Sequence, residues 1–585
     1  MKLHLPLLLV IYVYTVWNAA AAVGDTGSTW DANWGAAGLA GAPDAAAAQY
    51  QADITAAGVT ALVQPAGVAA PYDFGTYTAI TLVGAGNAGA QVFGGASATN
   101  GATGAVERTS WIAAEEGQYQ MLVGGNYADN WNTGTAMNFT GDTHILVNGA
   151  TVGTVMGGNF KDGLSASFTG DSYISVMQGS VSGAIVGAGV VAHNRNVQFT
   201  GNTHIFVYVP LSDNSGPTVN LLPANMVMGG FGWATNTWKT QTLTGDTHVT
   251  VDLTAYNGSA AAFAKHIVGG GFSGAGGNAQ VIEGDTHVSV NLGNQTAGST
   301  VRMVGGHWVN SGSGSVSGTA YLTISGGTFY DWVVGGSWTD VAGTSSSYGG
   351  VQMQLNGGTL NGNVAGASYL AAGRGNATVD AVQVQLSGAE LGGTLYGGYY
   401  INGTGTDPIN AQLGDVEMTL SAGSVNNVIG GTSIARNDAD TVVQQGAISI
   451  NLQGGAVRGN IHAAGQQAGV SALQTESTTV TIGSGVVFAD TSVVSGGYAG
   501  AQVTSTITGE RTLVFDTAQQ YTNTGAVAFE SFDTVQVADG ADVAVESLTK
   551  VQSLRKTGAG ALRIGSHDSL SGLTVQGGSL SLAGG

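Results

Sequence analysis

The chain has 585 residues, of which 97 are glycine and 8 proline, with 43% hydrophobic and 9% charged side chains, so it is neither a collagen nor a charged disordered polymer. Lys and Arg total 15 against 36 Asp and Glu, a net charge of −21, which argues against nucleic acid and anionic membrane surfaces because both require clustered cations. Cysteine is absent, which excludes disulfides, thiolate metal sites and cysteine nucleophiles, and the glycine excess disfavours long helices at about 1 kcal/mol per interior position.

Residues 1–22 read as a secretory signal. Met1, Lys2 and His4 give a basic start, Leu5 to Trp17 is apolar, and Ala19 to Ala22 supply small residues for cleavage. The apolar run is about 13 residues, short of the roughly 20 needed to span a bilayer, so an anchor is the second reading and no membrane span is expected in this chain. Residues 23–85 form an Ala/Gly-rich region with the character of a cap.

From 86 to 505 the chain repeats. A small-residue pair follows an apolar stretch at Gly94, Gly124, Gly157, Gly187, Gly229, Gly269, Gly305, Gly335, Ala365, Gly397, Gly430, Ala463 and Gly496. The mean interval is (496 − 94)/12, about 33 residues. Ahead of the pair runs an alternating strand, such as Val351, Met353, Leu355 or Val382, Val384, Leu386, whose intervening Gln352, Gln354, Gln383 and Gln385 should face solvent. A second short apolar segment follows, for example Val301 to Val304 or Trp332 to Val334. Strands this short form a core only by stacking turn on turn, which predicts an all-β parallel β-helix of about 33 residues per turn. A β-propeller is the competing architecture, but its blades need four strands and about 40–45 residues.

Two columns follow from the repeat. Gly-Asp-Thr-His recurs at Gly141 to His144, Gly245 to His248 and Gly284 to His287, with variants at Gly201 to His204 and Gly170 to Tyr173. The histidines could be metal ligands; the simpler reading is an outward ring ladder, with Tyr321 a further rung, whose Asp and Thr satisfy backbone groups at a corner. The second column lies three residues after the pair: Tyr127, Phe160, Phe272, Trp308, Trp338 and Tyr400. Exposed aromatics in file could stack on sugar rings, or they could cover the corner where the chain turns. No carboxylate pair stands out for glycoside hydrolysis, the Gly-x-Ser-x-Gly elbow is missing, and no catalytic residue, metal or cofactor is assigned. Intervals of 42, 40 and 36 residues mark insertions within Tyr208 to Asn225, Leu253 to His266 and Leu292 to Thr300, where loops side by side would make a lateral patch.

Residues 506–585 end in Leu554-Arg555-Lys556-Thr557-Gly558-Ala559-Gly560-Ala561-Leu562, then Ser571-Gly572-Leu573-Thr574-Val575-Gln576-Gly577-Gly578-Ser579-Leu580. This resembles the autotransporter-associated β-strand repeat, whose pattern is Leu-x-Lys-x-Gly-x-Gly-x-Leu followed by Ser-Gly-x-Thr-x-Val-x-x-Gly-x-Leu. The resemblance implies the β-helical passenger of a type V secreted protein, at the surface of a Gram-negative-type cell or outside it. It also implies an outer-membrane barrel, which this sequence does not contain and which is expected downstream if the chain is a fragment. The resulting expectation is a non-enzymatic secreted or cell-surface passenger, an adhesin whose partners are host-cell glycans or surface proteins. The alternative is a polysaccharide-active lyase or glycosidase, or a glycan-binding module, on the same fold.

Overall fold

The computed structural model describes residues 79–583 except 83–85, 96, 99–103, 108, 116, 129–136, 162–165, 192–195, 209–225, 233–239, 255–265, 274–278, 298–300, 372–374, 403–408, 436–440, 468–470, 490, 501–504, 522–526 and 569. The signal segment, most of the 23–85 region, the bulk of the first two insertions and residues 298–300 of the third therefore lie outside the described residues. Among those described, every regular element is a strand and the strands pair in parallel from turn to turn, giving a β-solenoid with turns of roughly 32 residues. Two compact units divide it, one of 1–265 with 291–296 and one of 266–290 with 297–585.

Alternation along each strand builds the core. In the first unit Val147, Val176, Val207 and Val251 are register partners on successive turns, all buried. In the second, Leu322, Met353, Val384, Met418, Ile450, Val480 and Leu513 form the equivalent file, and Val290 is buried as well. The partners Val351, Val382, Val416 and Ile448 are 31, 34 and 32 residues apart, which sets the turn length. Burying each such side chain contributes about 2 kcal/mol. The alternate residues Gln354, Gln383, Gln385 and Glu417 are exposed, as period two requires.

The small pair is a packing demand. A Cβ on Gly157 would collide with the Gly187 carbonyl of the next turn, and one on Gly335 with that of Gly366. This register corrects one position: Ala365 pairs with Val334 inside the strand, so the pair in that turn is Gly366-Ala367. Alanine fits at 365 because that position precedes the close approach.

Towards the C-terminus the turn shortens. Phe515 pairs with Val537, 22 residues on, Val543 with Leu562, 19 on, and Leu562 with Leu580, 18 on. Strands here alternate between two columns. The buried Lys556 donates to the carbonyls of Gly558 and Gly560, both at 2.6 Å, and of Gly577 at 2.8 Å, tying its own turn to the next. Arg511 with Asp533 and Lys550 with Glu530 add ion pairs between turns.

Candidate ligand-binding site

The Gly-Asp-Thr-His corner is a device for joining turns. In the first unit each acidic or amide side chain accepts the backbone N–H of its successor: Asp142 from Asp171 at 2.8 Å, Asp171 from Asn202 at 2.6 Å, Asn202 from Asp246 at 2.8 Å. The hydroxyls reach the other way, Thr143 donating to the Gly157 carbonyl at 2.6 Å, Ser172 to Gly187 at 2.8 Å and Thr203 to Gly229 at 2.7 Å. Glycine opens the motif because its φ there is +131° to +143°, a region other residues avoid. In the second unit Asp285 and Thr286 repeat both contacts, to the Thr319 N–H at 2.7 Å and the Gly305 carbonyl at 2.8 Å.

The rings stack as a ladder. His144, Tyr173, His204 and His248 follow one another at 4.7 Å with planes within 5°, and His287 stacks on Tyr321 at 4.7 Å in the second unit. Trp111 caps His144 at 3.7 Å, a rung the sequence hid because Ser110-Trp111 lacks the preceding Gly-Asp. His144 is buried rather than outward, and its pKa is pushed down to about 3, by burial first and by His204 second. A neutral imidazole can stack this closely without charge repulsion.

The second column splits. Tyr127 and Phe160 stack at 5.1 Å in the first unit, beside the cluster of Phe93 and Val123. In the second unit Phe272, Trp308, Trp338 and Tyr400 occupy successive register positions, with Tyr369 between Trp338 and Tyr400. Tyr369 escaped the sequence reading through the one-residue error at Ala365. The expectation that these aromatics are exposed needs correction: Tyr127, Phe272, Trp308 and Trp338 are buried, Phe160 and Tyr400 half-buried. Ring faces meet other rings at the corner, so the buried members serve as a floor.

On that floor sits a denser cluster. The Trp308 and Trp338 indole N–H groups donate to the two oxygens of the Asp340 carboxylate, at 2.7 and 2.8 Å. The Arg302 guanidinium lies over both rings, at 5.1 and 4.1 Å, and pairs with Asp331 at 3.3 Å. Trp338 stacks on Tyr369 at 3.8 Å with planes 1° apart. Trp332 packs against Tyr400 at 4.6 Å, Tyr369 at 5.0 Å and Tyr396 at 6.0 Å. The hydroxyls of Tyr396 and Tyr400 are raised above the ordinary phenol value, chiefly by burial, and stay neutral. Trp332, Tyr369, Tyr400, Arg302, Asp331 and Asp340 all keep part of their surface open.

Fold and corner together define a parallel β-solenoid carrying a rigid, half-open aromatic patch with a mixed polar rim. No family model, no curated protein and no solved structure matches the chain.

Proposed function

We propose that the chain is an exported recognition scaffold, the β-helical passenger of a type V secreted protein displayed at or beyond the cell surface, and that it works as an adhesin rather than an enzyme. One observation carries this reading. The polar groups most suggestive of chemistry are engaged in joining turns: Asp142, Asp171 and Asp285 hold neighbouring N–H groups, and the histidines are rungs. The leader-like residues 1–22 and the Lys556 repeat support export and passenger character. A glycan-binding module is the second reading, favoured by the aromatic corner around Trp332.

The test is expression of the full chain, together with any downstream barrel, in a heterologous Gram-negative host. Surface protease should release fragments of the chain, and the cells should gain adherence to epithelial monolayers or immobilised glycans. Retention inside the cell, or display without adherence, would sink the proposal.

A further inference from the structure

We infer that the corner formed by Trp332, Tyr369 and Tyr400 binds a neutral, extended polysaccharide laid across successive turns. The inference rests on the recognition reading above and names its partner class and its site.

Position is the first argument. At the position that opens the second short segment of a turn, three turns of this unit carry Asn363, Asn427 and Asn460, and His266, Thr394 and Val493 stand there in others. Each of the three asparagine side chains accepts the N–H of the next turn at 2.9 Å, from Thr394, Asn460 and Val493. Two neighbouring turns instead place there the guanidinium of Arg302 and the indole of Trp332, which reach over to the rings of the aromatic column, one residue before the register partners Met303 and Val333.

Preorganisation is the second. Asp340 fixes both floor indoles, Arg302 is clamped over them, and Trp332 is wedged among three tyrosines. Little side-chain freedom remains to be lost when a ligand docks.

Shape and charge select the ligand. From Arg302 and Trp308 through Trp332 and Tyr369 to Tyr400 the patch crosses four turns, about 14 Å at roughly 4.8 Å per turn. A β-linked pyranose repeat in an extended glycan is about as long as one turn is high, so sugar rings and protein rings can advance in step. Half-open aromatic edges and faces suit the C–H face of a pyranose, while Asp331, Asp340, Arg302 and the exposed Asn402, whose amide donates to the Tyr369 hydroxyl at 3.3 Å, offer acceptors and donors to hydroxyls. The two carboxylates outnumber the one guanidinium here, and the whole chain carries −21, which disfavours uronate and sulfated polymers.

Isothermal titration of the full chain against a soluble mixed-linkage β-glucan, a galactomannan, polygalacturonate and dextran sulfate tests the inference. At least one neutral polymer should bind and both acidic ones should not. Trp332→Ala should weaken binding about ten-fold or more. Tyr400→Leu keeps apolar volume and should also weaken binding if Trp332→Ala does not fold. Hydrogen exchange on the wild-type chain should slow at 331–333, 369–371 and 400–402 when the neutral polymer is added. Unchanged affinity in a folded variant, preference for the acidic polymers, or no binding to either neutral polymer overturns the inference. Adherence to cells that survives such a failure leaves the adhesin reading standing; loss of adherence by the wild-type chain removes both.

Discussion

Replacing Lys556 with methionine isolates the contribution of the motif lysine. Its ammonium donates to three carbonyls, at 2.6, 2.6 and 2.8 Å, in the interior of the shortened turns. Methionine preserves length and packing but leaves Gly558, Gly560 and Gly577 without that donor. Gly560 is buried and keeps only the long 3.4 Å bond from the Ser579 N–H, while Gly558 and Gly577 are part-exposed and recover water. At about 1–3 kcal/mol for a buried acceptor that loses its charged donor, the gross loss is about 3 kcal/mol. Burial already draws the Lys556 ammonium below its ordinary pKa, with Asp539 opposing, and the variant avoids that desolvation cost. A net loss of about 1–2 kcal/mol remains. Limited proteolysis should cut Lys556→Met first within 553–582 while the turns before 500 stay resistant. Leu562→Ala, a deletion in the same core, is the positive control. Equal resistance of Lys556→Met and wild type, with Leu562→Ala cleaved, would refute the carbonyl lock.

Val384→Asp places an unpaired charge between Met353 and Met418; a loss of several kcal/mol should appear as lower protease resistance in those turns. Gly366→Ala should destabilise sharply because its Cβ meets the Gly397 carbonyl, whereas Ala365→Gly should cost about 1 kcal/mol or less; the two melting curves read out the corrected register. His307 is buried, accepting the Gly271 N–H at 2.9 Å and facing the Ser315 carbonyl at 3.1 Å, and burial pushes its pKa down to about 4. The unfolded chain therefore binds more protons below pH 6.5. Its stabilising contribution is complete above pH 6.5 and falls by about 3 kcal/mol as the pH drops towards 4. His144 and His462, also lowered by burial, add slope of the same sign, so the check is that His307→Gln flattens part of the urea-midpoint dependence.

Much of the fold was legible because the repeat samples the same physics many times. Val384 and Met418 announced the interior by period two, and Gly335 and Gly397 announced the corner by recurrence. The slip at Ala365 has a physical cause: alanine and glycine are both small, and only the carbonyl approach behind Gly366 tells them apart. The corner around Trp332 was half legible. Trp308, Trp338 and Tyr400 stood out by spacing, yet Trp332 and Val333 read together as an apolar segment although only Val333 points into the core. Arg302, Asp331 and Asp340 reach the same corner from separate strands or turns, and no one-dimensional pattern joins a guanidinium to two indoles a turn apart.

Recognition without cleavage is the central claim, and chain-length analysis of a bound polysaccharide tests it most directly. The full chain would be incubated at saturation with the neutral polymer it retains, and the polymer sized by light scattering and its ends read by mass spectrometry. A retained polymer of unchanged length is the predicted result; new reducing ends or unsaturated termini that accumulate with time would contradict it.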